Sequence, residues 1–502
     1  MGKRLSRARV VDCVLAVVAL ALPQTGEGAE AASKAFSRPN VLWIVWDTVR
    51  ADRLGLYGHD APTTPNLERW ARKARVYDCL SVGGWTPPSH ASMFTGLFPS
   101  EHGVNGLFSK LPDGLETVAE RYRSAGYQTY LYSANPLVSA STGLARGFAT
   151  VEHPFDEALR ERAATLVKPK LSGGGEQAVD QVGAQWAVGA SGQLGNERFL
   201  SFVDARDSGR PFLAFLNYVE AHRPRIPSRR MRERFLSPAD VAHSYRFDQR
   251  QERFQAVSLG LGEPFSERER RIIRGLYDAS IAELDELLGQ LLTALEMRGL
   301  LGDLVIVLVS DHGEQLGDHG SYLHQYSLYE PIVRVPLVIW WAGRLPSGRE
   351  AHPVSSIDLH ATLLELAGLP ATGHHDTASL LAASRPRLLF AQYVSPYALT
   401  LAKFERKFPD WNSAPFRRRL SAVQRGPLKL LHGESNGSVL YDLKTDPGEL
   451  EDAGVLLPEA KRDLSVELYA FGSRKGTVHT GNKRQLDDSE RQRLETLGYV
   501  VD

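Results

Sequence analysis

Two continuous apolar runs that end in an acidic residue stand out in the pattern of hydrophobic and polar positions. Residues 40–47 read NVLWIVWD, and residues 304–314 read LVIVLVSDHGE. A run that is apolar at every position is typical of a parallel strand buried on both faces. Because parallel strands end at the same edge of a sheet, we expect Asp47 and Asp311 to converge although they are distant in sequence.

Segments with helical periodicity alternate with shorter apolar runs over much of the chain, as in TTPNLERWARKA, LETVAERYRSAG followed by YQTYLYSAN, and RPFLAFLNYVEAH. The stretch 266–299 has apolar residues at helical spacing and predicts one long amphipathic helix or two in sequence. Such alternation predicts an α/β fold in which helices cover both faces of a mostly parallel sheet.

The pattern changes at several points and predicts how the chain is divided. Residues 1–31 form a basic stretch, a short apolar run and a small-residue segment, the layout of a signal peptide, so we expect an exported protein. The apolar run is too short for a comfortable membrane span. We expect a catalytic domain over 38–370, with a polar, glycine-rich insertion or mobile loop over 155–210. Short strands and a terminal helix predict a smaller C-terminal subdomain over 371–502.

Composition excludes several classes of protein. The 502 residues are 43% hydrophobic and 24% charged, so the chain can bury a large core. Its 59 basic and 59 acidic side chains cancel, which gives no indication of a nucleic-acid partner. The two cysteines, Cys13 and Cys79, can build neither a disulfide framework nor a cysteine metal site.

The stretch GGWTPPSHASMFTG, residues 83–96, predicts a helix entered through Pro87 and Pro88. Thr86 then lies at the N-terminus of that helix. Unpaired backbone N–H groups and the helix dipole favour an anion at such a position. Taken alone, Thr86 is better explained as a helix N-cap.

Chemistry is expected where the two acidic strands end. His312 directly follows Asp311, and these two residues with Asp47 supply two carboxylates and an imidazole, a donor set suited to a divalent metal ion. Taken singly, each aspartate could cap a loop and His312 could be a turn residue.

Several motifs together resemble the sulfatase family of the alkaline phosphatase superfamily: NVLWIVWDTVRADRLGLYGH, TPPSHASMFTGLFPSEHGV, VSDHGEQLGDHG, HQYSLYEPIVRVPLVIW, SIDLHATLLELAGLP and VLYDLKTDPGELED. They run in the family's order from about residue 38 to the C-terminus. The resemblance implies an alkaline-phosphatase-like α/β core, a small C-terminal subdomain, a metal at the strand edge, and Thr86 at the position of the nucleophile.

The chain also departs from the usual pattern of sulfatases, which carry Cys or Ser in C/S-x-P-S-R and convert it to formylglycine. Threonine cannot undergo that conversion, so no formylglycine is expected, and His90 replaces the arginine. The set Asp47, Thr86, Asp311 and His312 is instead similar to the metal sites of phosphoethanolamine transferases and lipoteichoic acid synthases, and partly to those of phosphonate and phosphodiester hydrolases. The imidazole favours zinc or manganese, with calcium or magnesium as alternatives.

Further residues gain a role from the resemblance. His222 in NYVEAHRP matches a family histidine, His324 falls near a lysine of many sulfatases, and His319 lies in LGDHG; each could protonate a leaving group or be structural. Candidate contacts to the substrate anion are His90, Arg50 and Asn135.

The sequence therefore predicts an exported, metal-dependent hydrolase that cleaves a phosphate or sulfate ester through a covalent Thr86 intermediate. Phosphorus is favoured over sulfur because the formylglycine pattern is absent. The substrate is a small-molecule, glycan or lipid ester. Two alternatives remain: a transferase that moves a head group from a lipid donor, and an inactive family member that binds glycans. The known transferases carry several membrane spans, whereas no span is predicted here after the leader.

Overall fold

A mixed, mostly parallel sheet forms the centre of the structure, a computed structural model that describes residues 38–172, 191–372, 376–434, 436–474, 479 and 482–496. The expected signal peptide lies outside these residues. The strands are, in chain order, β1 (Asn40–Trp46), β2 (Arg75–Leu80), β3 (Ser109–Lys110), β4 (Gln128–Ser133), β5 (Thr150–Glu152), β6 (Phe212–Tyr218), β7 (Leu304–Val309), β8 (Gln315–Leu316), β9 (Tyr322–Leu323), β10 (Arg334–Trp341), β11 (Gly348–Arg349), β12 (Val354–Ser355), β13 (Leu388–Tyr393), β14 (Leu420–Arg425), β15 (Leu428–Gly433), β16 (Gly437–Asp442) and β17 (Asn482–Lys483).

Helices occupy most of the connections between these strands. They are α1 (Pro65–Ala71), α2 (Thr86–Thr95), α3 (Pro99–His102), α4 (Val118–Ser124), α5 (Glu157–Leu171), α6 (Gly192–Ala205), α7 (Arg229–Phe235), α8 (Pro238–Ser244), α9 (Gln251–Ser258), α10 (Glu267–Met297), α11 (Glu330–Val333), α12 (Asp358–Leu366), α13 (Ala398–Lys407), α14 (Pro458–Gly472) and α15 (Asp488–Thr496). Among the described residues, no helix combines the length and the apolar character that a bilayer span requires.

The central sheet has the strand order β11-β2-β10-β7-β1-β6-β4-β5, with β12 also paired to β2. Only β10 runs antiparallel to its neighbours, β2 and β7. Side chains of β1 alternate between two cores: Leu42, Ile44 and Trp46 pack in one, and Val41 and Trp43 in the other. Helices supply the remaining core residues on both faces, which confirms the predicted fold class.

The long apolar pattern at 266–299 forms one helix, α10. Ser266 caps its N-terminus by accepting a hydrogen bond from Glu269 N at 3.3 Å, and the Glu269 carboxylate accepts one from Ser266 N at 2.8 Å. This reciprocal pair satisfies two of the backbone donors that a helix N-terminus leaves open.

The segment 155–210 is not a loop throughout, because helices Glu157–Leu171 (α5) and Gly192–Ala205 (α6) occupy much of it; that it is an insertion stays a prediction. Ala163 and Val167 of α5, and Phe199 and Val203 of α6, recur at helical spacing and are buried. Burial of these apolar side chains stabilises the helices although the composition of the segment is polar. The glycine-rich centre, 173–190, lies outside the described residues.

A second, antiparallel sheet has the order β13-β14-β15-β16. It joins the central part of the structure at an isolated bridge, where Gln392 N donates to Val82 O at 2.9 Å beside Gly83. Buried Lys429 of this sheet forms ion pairs with Glu330 at 2.9 Å and Glu449 at 2.8 Å. Residues 38–502 form one compact unit, and the division at residue 370 stays a prediction.

Candidate active site

The strand ends bring the expected metal ligands together. Strands β1 and β7 pair in parallel with Val45 opposite Val309, so the residues two positions further on, Asp47 and Asp311, lie side by side. One ligand atom from each of Asp47, Asp311 and His312 lies within 4.8 Å of the others, and all three side chains are buried. We call these three residues the ligand cluster.

Thr86 faces the ligand cluster from the first position of helix α2. Trp85, not Thr86, occupies the N-cap position, so the helix begins one residue earlier than expected and Thr86 is not its cap. The Thr86 hydroxyl oxygen lies 3.3 Å from Nε2 of His312 and accepts a hydrogen bond from Nδ2 of Asn135 at 3.3 Å. The hydroxyl is therefore directed at the cluster by side chains from two strand ends.

Hydrogen bonds fix one oxygen of each carboxylate in the ligand cluster. Asp311 Oδ1 accepts from Thr48 N at 3.2 Å and from His312 N at 2.9 Å, and Asp47 Oδ2 accepts from Asn135 at 2.8 Å. The φ of Thr48 is +62°, a left-handed conformation rare for threonine, which turns its N–H toward Asp311. The other oxygens, Asp47 Oδ1 and Asp311 Oδ2, are buried and accept no hydrogen bond of ordinary geometry from the described residues, although Asp311 Oδ2 lies 3.2 Å from Nε2 of His312.

These two carboxylate oxygens fit a divalent cation. Burial, with the nearby charge of Asp311, raises the pKa of Asp47 to about 8. Burial alone would lower the pKa of His312, but the Asp311 carboxylate outweighs it and raises that pKa to about 9. The charge of His312 in turn lowers the pKa of Asp311, although burial opposes the shift. Without a cation the cluster therefore retains protons, which metal binding would displace.

His90 lies beneath the cluster. Its Nδ1 is 3.0 Å from the carbonyl oxygen of Thr86 and 3.5 Å from Asp311 Oδ2, and its ring packs edge-on against Phe94 and Phe215. Burial lowers its pKa. This placement makes His90 a support for Asp311 and the helix start; its predicted contact with the substrate anion stays a prediction.

A row of histidines extends from the cluster. The rings of His312 and His324 have centroids 4.6 Å apart, and those of His324 and His222 are 5.4 Å apart. Burial, with the neighbouring His324, lowers the pKa of His222 to about 3. Burial, followed by the charge of His312, also lowers the pKa of His324. Both rings are thus uncharged near neutral pH.

Glu314 holds His324; the sequence indicates Glu314 only as a supporting acid or cap and does not predict its partners. His324 Nδ1 lies 3.1 Å from Glu314 Oε1, and Arg225 donates to Glu314 Oε2 at 2.6 Å. These interactions lower the pKa of Glu314 although burial opposes the shift. The only available signal was the position of Glu314 three residues after Asp311 and of Arg225 three residues after His222.

Two predicted site residues have other contacts. The guanidinium of Arg50 is buried and forms ion pairs with Asp52 and Asp318, both at 2.7 Å. His319 is exposed and stacks on Tyr329 with ring centroids 3.7 Å apart. Both side chains line a separate cavity of about 620 Å³. Their contacts in the described residues do not join them to Thr86, so their catalytic and anion-binding roles stay predictions.

Comparisons with known proteins agree with this architecture. The sulfatase family model matches residues 39–369. Arylsulfatase K of Bos taurus is 25% identical over 513 residues, which cover 94% of this chain and 90% of that protein. N-acetylglucosamine-6-O-sulfatase of Bacteroides thetaiotaomicron is 22% identical over 492 residues, which cover 83% of this chain and 82% of that protein.

Two solved structures share the fold. Phosphonate monoester hydrolase of Agrobacterium radiobacter superposes with a TM-score of 0.65 at 21% identity and covers 87% of this chain and 96% of its own. A protein solved with its substrate D-glucosamine-2-N,6-O-disulfate gives a TM-score of 0.64 at 19% identity and covers 86% and 97%.

The sheet order, the helices on both faces and the superposition on these structures define an α/β protein of the alkaline-phosphatase-like fold. Within that class, the match over residues 39–369 shows that the chain belongs to the sulfatase family and is a sulfatase-family hydrolase of ester bonds.

Proposed function

We propose that this protein hydrolyses a phosphate ester, or a sulfate ester as the second candidate, with Thr86 as the covalent nucleophile. The observation that carries the proposal is the position of the Thr86 hydroxyl, at the start of helix α2 and 3.3 Å from His312 in the ligand cluster. A threonine that served only as a cap would not need a buried amide and an imidazole directed at its oxygen.

Asp47, Asp311 and His312, with the Thr86 oxygen, would hold the metal ion. The imidazole favours zinc or manganese over calcium and magnesium. When bound, a divalent cation supplies positive charge that offsets the two carboxylates and favours the ionised form of a nearby hydroxyl.

The residues of the chain account for the remaining chemistry. Attack by Thr86 transfers the phosphoryl or sulfuryl group to threonine and breaks the bond to the leaving oxygen; the hydroxyl loses one proton and the leaving oxygen gains one. Pro87 and Pro88 carry no N–H at the start of α2, so the helix can favour the negative charge of the transferred group there chiefly through its dipole. His324 and His222 would protonate the leaving oxygen, because an anionic substrate raises the pKa of a neighbouring imidazole.

The threonyl ester determines how the second half of the reaction can proceed. Threonine has a single hydroxyl, so its ester is cleaved only by attack at phosphorus or sulfur, with water giving hydrolysis and an alcohol giving transfer. We favour phosphorus because the formylglycine motif is absent. Sulfate is the second candidate because the relatives include an arylsulfatase and an N-acetylglucosamine-6-O-sulfatase. The leader supports export, and the small antiparallel sheet supports a C-terminal subdomain over 371–502.

The test uses protein lacking residues 1–31, loaded in turn with zinc, manganese, magnesium and calcium. Aryl phosphate monoester, aryl phosphate diester and aryl sulfate are assayed with wild type, Thr86→Val and Thr86→Ser. We expect Thr86→Val to lose at least about 10³-fold in kcat, since a variant without its nucleophile keeps only binding and electrostatic catalysis. The serine variant retains the hydroxyl and serves as the matched control.

Acid-quenched samples are then analysed for a phosphoryl or sulfuryl adduct on Thr86. Wild-type turnover by Thr86→Val would disprove the nucleophile assignment. An adduct discharged faster by an added alcohol than by water would favour the transferase, whereas absence of metal and of all turnover would favour the inactive glycan-binding alternative.

A further inference from the structure

The side chain of Gln325, directly after His324, is buried without using its hydrogen-bonding groups. It is 5% exposed, and among the described residues neither its carbonyl oxygen nor its amide nitrogen has a partner. A glutamine amide offers two N–H donors and an acceptor with two lone pairs. Leaving such groups unpaired in the interior costs about 1–3 kcal/mol each, so this position is unfavourable for folding alone.

The backbone around Gln325 is strained and firmly held. Leu323 and Tyr326 have φ values of +78° and +64°, in the left-handed region that non-glycine residues rarely adopt. Leu323 pairs with Gln315 in the β8–β9 hairpin, and the Tyr326 hydroxyl donates to Tyr397 O at 3.2 Å. Strain of this kind persists where the surrounding structure imposes it, often beside a functional site.

Gln325 is one peptide unit from His324, so their Cα atoms are about 3.8 Å apart. The ring of His324 contacts that of His312 in the ligand cluster. Gln325 thus directly follows a residue that we assign to the leaving group, on a backbone with left-handed residues on both sides.

We propose that Gln325 is a substrate-binding residue that hydrogen-bonds a hydroxyl on the alcohol part of the ester. This inference rests on the proposed function and deepens it. A hydroxyl both donates and accepts, as the amide does. A second anionic group fits less well, because Arg225, a buried cation that shares Glu314 with His324, is already paired at 2.6 Å.

Gln325→Leu tests the inference with two esters of the acid that the wild type cleaves, an aryl ester without hydroxyls and a hexose ester. Loss of one or two neutral hydrogen bonds should lower kcat/KM on the hexose ester about 10- to 100-fold. If the bonds form equally in the bound substrate and the transition state, the loss on the hexose ester is a rise in KM. On the aryl ester, which has no hydroxyl to bind, kcat should change less than about twofold.

Stability separates a binding role from a structural one. Gln392 is a matched control, because it is also buried but its carbonyl accepts a hydrogen bond from Ser100 N at 3.1 Å. We expect Gln392→Leu to lower the thermal midpoint. We expect Gln325→Leu to leave it unchanged or raise it, since an unpaired buried amide is removed.

Each outcome either supports or overturns the role of Gln325 in binding substrate. Selective loss on the hexose ester with retained stability supports the inference. Equal loss on both esters, or a midpoint lowered as in Gln392→Leu, overturns it and indicates a structural amide satisfied by buried water. Wild-type activity on the aryl ester alone overturns the inference but leaves the proposed function standing, whereas wild-type inactivity on both overturns the two together.

Discussion

Replacing Lys429 by methionine tests how the smaller sheet is fixed to the segment that carries His324. The Lys429 ammonium is fully buried and lies 2.9 Å from Glu330 and 2.8 Å from Glu449, whose side chain is also fully buried. Glu330 begins helix α11, and its backbone N–H donates to Glu449 at 2.5 Å. Methionine retains most of the apolar stem of lysine but removes the single positive charge that these carboxylates share.

The loss in free energy of unfolding follows from the protonation of Glu449 once the charge of Lys429 is removed. Glu449 is cut off from solvent, so it becomes neutral by taking up a proton in the folded state. Against an ordinary glutamate pKa of about 4.3, this costs up to about 4 kcal/mol at pH 7 and about 1 kcal/mol at pH 5. The first value agrees with the roughly 3–5 kcal/mol lost when one partner of a buried ion pair is removed. The folded pKa of Glu449 lies above its unfolded value, so the variant gains stability relative to wild type as the pH falls.

Urea unfolding of wild type and Lys429→Met at pH 5 and pH 7 measures this difference. The double variant Lys429→Met with Glu449→Gln is the matched control, because it needs no proton and its defect should be the same at both pH values. A defect of Lys429→Met that is equal at pH 5 and pH 7, or below about 1 kcal/mol at both, would refute the assigned burial and pairing of Lys429.

Three further predictions concern the site and its supports. Asp311→Asn should lower metal affinity by more than the roughly 10- to 100-fold typical of residues outside the ligand set, measured by metal titration of chelator-treated protein; unchanged affinity would contradict the ligand assignment. Glu314→Gln should cost about 3 kcal/mol by leaving Arg225 buried without its anion, and should reduce turnover through His324; a wild-type unfolding midpoint would contradict the ion pair. Asp285 accepts hydrogen bonds from two backbone N–H groups at the start of α1, and burial raises its pKa to about 6. Since this folded pKa exceeds the unfolded value, wild type should gain about 1 kcal/mol over Asp285→Asn between pH 7 and pH 5, measured by urea unfolding; the opposite slope would contradict the shift.

Apolar periodicity accounts for the parts of the fold that the sequence predicted. Strands β1 and β7 are buried on both faces and, apart from Asn40, are apolar throughout, and helix α10 shows its buried stripe from Ile272 to Leu295. Burial leaves a local, repeated signal in the sequence. In a strand buried on both faces every side chain meets a core, and in a helix every third to fourth side chain does. The prediction of a loop over 155–210 was wrong because the apolar positions at helical spacing are sparse there, among glycines and polar residues.

The site was predictable only where it coincides with strand ends and known motifs. Asp47, Asp311 and His312 lie together because neighbouring parallel strands end in register. The partners that hold the site, such as Arg225 for Glu314, carry no such signal. A polar contact between residues far apart in sequence depends on two separate folded segments meeting, and neither segment shows the contact in its own pattern.

The bridge between Gly83 and Gln392 has a consequence for synthesis on the ribosome. A nascent chain that has emerged to residue 370 already contains Asp47, Thr86, Asp311 and His312. It lacks β13, whose Gln392 N–H binds the carbonyl of Val82, four residues before Thr86. Because the chain emerges from its N-terminus, this hydrogen bond at Val82, close before Thr86, forms only after β13 has been made. All the contacts around the site can therefore form only after most of the chain has been synthesised.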